Sequence, residues 1–345
     1  MRKPNLAVLA PWQFSSNHFV FTGYVRALRL LGYHTNALLG HVTYKNWSEY
    51  YRFFAITGGI PNYSYDQETI IRSASLNIVL NVMETNPDVL IIIDGTGIHK
   101  DAWDWFRRLG IPTFVIGTES PYQDKYVTHI AEIATHMFVN EKITADRTGI
   151  EYLPAGYDSE AHHPMIVDTS YRHDVVFVGS GFPERTRFLE GVDWSGIDFE
   201  LYGHYQIDID HPLADYYKDS MIPNAETALL YNGAKISLNL NRTSVDYNGE
   251  ASVPEAQSLS PRAYEIAGCG GFMISEYRDE ILNTFGDLVP TFKDPDHLND
   301  LIHYWLPRDK ERREIGDQLA KIARRHSYIE RAKIVMRRVN EISGL

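Results

Sequence analysis

Uninterrupted apolar runs, rather than alternating ones, mark the strands of this chain. NLAVLA (5–10), DVLIIIDG (88–95) and PTFVIG (112–117) place apolar side chains at successive positions, so both faces of the strands they predict must be buried. HTNALL (34–39), HMFVN (136–140) and EYLPAG (151–156) read as further strands. The segments between them carry helical spacing. HFVFTGYVRALRLLGY (18–33) and HKDAWDWFRRLG (99–110) predict helices closed by Gly32 and Gly110, and IIRSASLNIVLNVMET (70–85) predicts a longer helix ahead of the DVLIIIDG strand. Non-alternating strands separated by helices predict a parallel sheet covered on both faces.

The pattern lapses at AGYDSEAHHPMIVDTSYRH (155–173), a polar, turn-rich stretch that reads as a linker. A second series then begins. DVVFVGSG (174–181), DFELYG (198–203), KISLNL (235–240) and FMIS (272–275) predict strands, with helices from about 183, near 226–233 and within SPRAYEIAGCGG (260–271). The rest is mostly helical and ends in an amphipathic helix around 327–342. The expectation is two doubly wound α/β domains, 1–160 and 170–326, followed by a C-terminal helix, 327–345. Ligands of such sheets bind at the carboxyl ends of the strands, so a cleft between the domains is the expected site.

Composition agrees with this picture and narrows it. The 345 residues are 44% hydrophobic and 23% charged, a globular balance with enough chain for two domains. A single cysteine, Cys269, excludes an internal disulfide and fits a reducing compartment. The apolar run after MRKPN is too short for a signal peptide, and no stretch approaches the roughly 18–20 apolar residues of a membrane span. A cytoplasmic protein is expected. Its formal net charge of −12 disfavours a polyanionic partner such as DNA, which would need a local basic patch. The one basic concentration, Arg308 to Arg338, is mixed with acids and reads first as a solvated helix face. Tyrosine-rich stretches at 44–54 (YKNWSEYYRFF) and 61–66 (PNYSYD) suit stacking on sugars or bases, but loop packing is the simpler expectation.

Two stretches carry candidate chemistry. VGSG (178–181) follows a buried strand and precedes the helix PERTRFLE, a place where small residues and free helix N–H groups can receive an anion. It lacks the Lys-Ser/Thr of a P-loop and the full GxGxxG spacing, so a tight turn is an equal reading; Arg185 and Arg187 nearby favour phosphate. In SPRAYEIAGCGG, Ser260 is a suitable N-cap and Pro261 a suitable first helical residue. Arg262 and Glu265 are then either a helix-surface ion pair or ligand-binding groups, Arg262 for an anion at the helix N-terminus and Glu265 for sugar hydroxyls.

DVVFVGSGFPERTRFLE, AKISLNLNR, SPRAYEIAGCGGFMISEYRDEI and the closing HLNDLIHYWLPRDKERREIGDQLAKIARRHSYIERA together resemble the CgeB-like (spore-maturation type) glycosyltransferases over most of residues 170–335. The resemblance implies a GT-B fold, with a nucleotide-sugar donor in the C-terminal domain, an acceptor in the N-terminal one, and a last helix crossing back to the first domain. It implies that Glu265 holds the donor ribose, that Gly179, Ser180, Gly181 and Arg262 line the diphosphate, and that Asn241 and Arg242 face the same cleft. Many retaining GT-B enzymes carry a second Glu eight residues before the ribose Glu; Gln257 stands there in this chain, which leaves the stereochemical outcome open.

Transfer of a sugar to a hydroxyl needs a base and a neutralised leaving group. The first-half candidates are His18, in the junction after the first strand, where inverting GT-B enzymes often place a base, and Asp94 and Glu119, each at a strand end. Asp94 can orient His18 or act itself; each of the three can also be an ordinary capping or buried hydrogen-bonded residue. No metal is expected. DID (208–210) with His204 and His211 resembles the metal motif of another glycosyltransferase fold, which a GT-B enzyme does not need. His162 and His163 are expected to be solvent-exposed, and Cys269 has no partner for nucleophilic work. The expected function is transfer from a nucleotide-diphosphate sugar, a UDP-sugar as co-substrate with no other cofactor, to a glycan, protein, metabolite or hydroxylated DNA base. A sugar-nucleotide epimerase and a non-catalytic nucleotide-sugar-binding module are the alternatives.

Overall fold

The computed structural model describes residues 2–12, 17–57, 66–219, 222–245, 251–253 and 255–345; all but the last residue of PNYSYD lies outside them. The chain divides into two compact units, residues 1–153 with 331–345, and residues 154–330.

In the first unit the chain runs β1 (Leu6–Leu9), α1 (Asn17–Leu30), β2 (Thr35–Leu38), α2 (Gly40–Thr57), α3 (Gln67–Thr85), β3 (Val89–Ile93) and α4 (Lys100–Arg108). It continues with β4 (Thr113–Gly117), α5 (Asp124–Ile133), β5 (His136–Val139), α6 (Lys142–Thr148) and β6 (Glu151–Tyr152). The sheet is wholly parallel, in the order β2-β1-β3-β4-β5-β6. Every residue of β1 and β3 is buried, which explains the unbroken apolar runs. Gly32, with φ +80°, gives the left-handed turn after α1.

The expected single helix between β2 and β3 is two. α3 has its own start signal, the Asp66 carboxylate accepting from the Thr69 amide at 2.7 Å, and ends at Asn86 in the left-handed conformation. The aromatic stretch at 44–54 is therefore helix rather than loop. Tyr51 of α2 bonds Ser73 of α3 through its hydroxyl at 2.9 Å.

The second unit contains β7 (Val175–Val178), α7 (Pro183–Glu190), β8 (Phe199–Tyr202), β9 (Tyr217–Asp219), α8 (Asn224–Gly233), β10 (Ile236–Asn239) and α9 (Pro261–Gly268). After these come β11 (Met273–Glu276), α10 (Asp279–Phe285), β12 (Thr291–Phe292), α11 (Pro295–Trp305) and α12 (Asp309–Ala323). All neighbours in the sheet are parallel, in the order β12-β11-β10-β7-β8-β9. Counted within the unit from β9, that is the 3-2-1-4-5-6 order of dinucleotide-binding sheets, whose direction of winding reverses between β7 and β10. Val175 and Phe177 pack into one apolar layer and Val176 into the other, so both faces are covered. The short edge strands β9 and β12 carry too few residues to be read from sequence.

The last helix, α13 (Tyr328–Ser343), belongs to the first unit from Arg331 onward. There Arg338 donates through Nε to Glu151 of β6 at 2.8 Å, and His136 of β5 meets the same carboxylate oxygen at 2.9 Å. Burial alone would raise the Glu151 pKa, but the Arg338 and His136 contacts outweigh it and hold the carboxyl below its ordinary value. The basic concentration is not uniformly solvated. Arg312 and Arg331 are buried, while Arg313, Arg324, Arg325 and Arg337 are exposed.

The 155–173 stretch is irregular apart from an isolated bridge of Tyr157 to Ser327 and a 3-10 turn, Thr169–Tyr171. One expectation there is overturned. His162 is 1% exposed and packs against the Tyr231 ring of α8, with neither ring nitrogen hydrogen-bonded among the described residues; only His163 is exposed. The turn that buries it closes through the His162 amide, which donates to the Asp158 carbonyl at 2.8 Å.

Candidate functional site

In the second unit, parallel strands deliver the loops after β7 and β10 to one edge, on either side of the point where the winding reverses. Gly179–Ser180–Gly181 is the loop after β7. Its Gly179 and Gly181 amides already donate to Tyr202 O and His204 O, each at 2.9 Å, which continue the β8 ladder. The Ser180 amide and hydroxyl make no such bond among the described residues. The loop can therefore offer an anion only Ser180, a narrower cradle than the glycines suggested.

The arginines also differ from expectation. Arg185 is buried, donating through Nε to Asn241 O and through Nη1 to Ser180 O, both at 3.0 Å. It ties together the two loops that flank the reversal point and presents no free charge to solvent. Arg242 folds back on its own loop, donating to Ser244 O at 2.7 Å and to Val245 O, with its guanidinium 4.2 Å from the Phe182 ring centre. Glu184 of α7 holds that loop from the other side, accepting from the Thr243 and Ser244 amides at 2.8 and 3.0 Å and from the Ser244 hydroxyl.

Arg262 lies in the first turn of α9 and crosses the strand ends. Its Nε donates to Val178 O of β7 at 2.6 Å and its Nη1 to Leu240 O just past β10 at 2.9 Å, above the Phe177 ring. The guanidinium thus bridges the two strands at the reversal point. Gly179 leaves room beneath it: a Cβ there would lie 2.3 Å from Nη2 and displace the guanidinium.

Glu265 stands one turn further along α9. No Arg262–Glu265 ion pair forms. Among the described residues the Glu265 carboxylate, partly buried, makes no hydrogen bond or ion pair. It and Arg262 both act on Tyr231, whose hydroxyl is pushed up first by burial and then by the Glu265 charge, with Arg262 opposing. Burial, with Glu265 second, also pushes up the Cys269 thiol, which leaves it a packing residue.

Two buried acceptors near this edge lack partners among the described residues, Asn241 Oδ1 and Tyr205 OH. The Asn241 amide is fixed by Glu276 Oε2 at 2.8 Å, and the Tyr205 ring fills the space a Gly181 side chain would need. Gln257 is exposed. His211 pairs with Glu190 at 3.1 Å, while His204, Asp208 and Asp210 are exposed. No group of three or more His, Cys, Asp or Glu among the described residues is arranged to hold a metal.

In the first unit the same strand edge gathers His18, Asp94 and Glu119. His18 is in the first turn of α1, Asp94 directly follows β3, and Glu119 lies two residues past β4. Asn17 Nδ2 donates to Glu119 Oε1 at 2.7 Å, joining the α1 start to the β4 end. Asp94 is 6% exposed and holds φ +74°, a left-handed conformation that costs a non-glycine residue about 1 kcal/mol or more. Burial, then the Glu119 charge, push its carboxyl up to about 7 against the Thr96 hydroxyl, which donates to it at 2.6 Å. Asp94 does not hydrogen-bond His18, so it does not orient that ring. His18 instead meets His41 in the first turn of α2, with ring centres 4.8 Å apart and planes at 79°. Sequence reading passed over His41 because no helix was expected directly after the second strand. The pattern of a strand followed by Gly-His, HTNALLGH, was the available signal.

Beside Asp94, at the reversal point between β1 and β3, lies a mainly apolar pocket lined by Trp12, Tyr44, Ile78, Thr96, Gly97 and Ile98, among others. Trp12 and Tyr44 meet edge to face at 5.0 Å.

Two parallel doubly wound units, the second in 3-2-1-4-5-6 order, define the chain as an α/β protein of GT-B fold. The family model described as glycosyl transferase-like matches residues 185–337. The Bacillus subtilis spore protein CgeB is 20% identical over 212 residues, covering 57% of this chain and 66%, just under two thirds, of that relative. Among solved structures, Anabaena HepE in complex with UDP-glucose aligns at TM-score 0.63 and 9% identity, over 98% of this chain and 100% of that one. Sucrose-phosphate synthase from Thermosynechococcus elongatus aligns at TM-score 0.62 and 12% identity, over 99% and 98%. No helix among the described residues is long and apolar enough to cross a membrane.

Proposed function

We propose that the protein is a glycosyltransferase that moves a sugar from a nucleoside-diphosphate sugar, a UDP-sugar in the first instance, to an acceptor hydroxyl. The observation that carries this reading is Glu265. A partly buried carboxylate without a hydrogen-bond partner among the described residues, one turn into a helix whose N-terminus sits over the reversal point of a 3-2-1-4-5-6 sheet, is an acceptor waiting for donors. A ribose diol supplies two. The glycosyl transferase-like match over 185–337 and the UDP-glucose bound by the HepE relative support the same assignment.

In this reading Glu265 accepts from the ribose hydroxyls. The α9 N-terminus and the Ser180 amide face the diphosphate, and the Arg262 charge contributes its field while its Nε and Nη1 donors hold the strand ends. In the first unit His18 takes the proton of the acceptor hydroxyl as that oxygen attacks the sugar carbon and the nucleoside diphosphate leaves. Asp94 and Glu119 stand at neighbouring strand ends of the same sheet edge, and the Glu119 charge acts on Asp94. Asp94, its carboxyl pushed up to about 7 by burial, can hold a proton near neutrality.

A thermal-shift and calorimetric screen against a panel of nucleotide sugars tests the donor assignment. Glu265→Gln is expected to weaken the best donor by roughly 10–100-fold, the loss of hydrogen bonds to a charged acceptor, without changing the apo melting temperature much. Binding of no nucleotide sugar, or equal binding by wild type and Glu265→Gln, would refute it. Acceptor-free NMR separates transfer from epimerisation, since only an epimerase interconverts the donor alone. Binding without turnover, unaffected by changing His18, would instead indicate a binding module. Duplex DNA carrying hydroxylated bases belongs in the acceptor panel, and its failure to bind even at low salt removes the DNA acceptor.

A further inference from the structure

α1 and α2 both begin at the C-terminal edge of the first sheet, and each carries a histidine as its second residue, His18 and His41. Helix first turns are electropositive, so an imidazolium is disfavoured at both positions before any neighbour is considered. The rings then meet at 4.8 Å, edge to face, with Phe21 of α1 packed 5.7 Å from the His18 ring. At that separation a proton on one ring repels a proton on the other, and the half-buried setting leaves that repulsion less screened than at the surface. The titratable groups on the adjoining strand ends are Asp94 after β3 and Glu119 after β4, the second tied to Asn17, the residue before His18.

We propose that His41 is a positioning residue for His18, its ring contact across the first turns of α1 and α2 holding the His18 imidazole in its proton-accepting form as the pH falls below neutrality. This rests on the assignment of His18 as the base. A base serves only when unprotonated, and a carboxylate partner, the common arrangement for a histidine, would favour the protonated ring. His41 does the reverse. In agreement, burial followed by the His41 charge holds His18 below the ordinary histidine range, and burial does the same for His41.

The test is an NMR titration of the histidine Cε1–H resonances in the full-length protein, with His18 assigned by its loss in His18→Gln. Wild-type His18 is expected to titrate below the ordinary histidine midpoint. His41→Gln, which removes the neighbouring charge, is expected to move the His18 midpoint upward. His41→Lys, which makes that charge permanent, is expected to move it downward. Opposite shifts from two substitutions at one position are not a signature of general loosening. A His18 midpoint that stays put in the folded Gln variant, or moves the same way in both, overturns the proposal. The titration needs no substrate, so it is decided even if no nucleotide sugar turns over. Where turnover is found, the acidic limb of the kcat/KM profile should shift with the NMR midpoint in His41→Gln. A limb that does not move overturns the proposal while leaving the transferase assignment intact.

Discussion

The Arg262 guanidinium donates to the Val178 carbonyl at 2.6 Å, binding the start of α9 to the end of β7 across the reversal point of the second sheet. A residue that sequence marks as a phosphate ligand is thus first a strut. Both roles fit one position, because the strut fixes a positive charge where the strand ends open.

Arg262→Ala should destabilise the second unit by about 2–4 kcal/mol. The loss leaves the partly buried Val178 and Leu240 carbonyls without the charged donor they now share. Arg262→Lys should recover little of that, since an ammonium cannot serve both carbonyls with the planar fork geometry. Urea midpoints read the effect. If Arg262→Ala unfolds like wild type and loses only nucleotide affinity, the strut reading is wrong.

Gly203 and Gly179 form a close backbone pair, and their alanine variants should rank in a definite order. A Cβ on Gly203, at φ +134°, would lie 2.0 Å from the Gly179 carbonyl oxygen, which cannot move without breaking the loop. A Cβ on Gly179 meets chiefly the Arg262 side chain at 2.3 Å, which can rotate away at the cost of its bonds. Gly203→Ala is therefore expected to be the more destabilising, beyond about 3 kcal/mol from strain and clash together. Comparable melting temperatures for the two variants would contradict this.

Much of this architecture was legible because β1, β3, β4 and β7 are buried on both faces and bear unbroken apolar runs. Glycines and prolines punctuate the helices between them. What stayed hidden was hidden for physical reasons. The edge strands β9 and β12 are two to three residues long, below the length at which periodicity has meaning. The start of α2 lacks a strong cap signal, and its aromatic content imitates a loop, so His41 went unseen. At the site, residue types located the strand ends but not the use of each donor. Arg185, Gly179 and Gly181 satisfy backbone groups, a fact that depends on how the β7 and β8 chains splay and not on composition. Glu265 is the converse, a carboxylate whose lack of a partner among the described residues only the folded structure reveals.

His162 offers a test of the linker. Both ring nitrogens are buried without partners among the described residues, beside Tyr231, a costly state for a polar side chain. His162→Leu, close in volume, should raise stability by about 1 kcal/mol in chemical denaturation at pH 8. A loss of more than that would show that an internal water or a ligand satisfies the imidazole.

Asp94 should make the first unit lose stability as pH rises from about 4 to about 7. Its carboxyl is pushed up to about 7 in the folded chain from an ordinary value of 3.8, by burial and then by the Glu119 charge. Between those values the folded protein retains a proton that the unfolded chain has released. The folded state is therefore favoured least, with respect to this group, above pH 7, where both states are ionised and the full desolvation cost is present. At pH 4 and below both are protonated and the cost is absent. Asp94→Asn keeps an acceptor for the Thr96 hydroxyl and removes the charge. The variant should exceed wild type in stability at pH 8 by on the order of 2–4 kcal/mol, an advantage that shrinks toward pH 5. Urea unfolding at pH 5, 6.5 and 8 measures it. An advantage that grows toward acid, or does not vary with pH, would show that Asp94 is ionised in the folded chain and that the buried carboxyl is not held near neutrality.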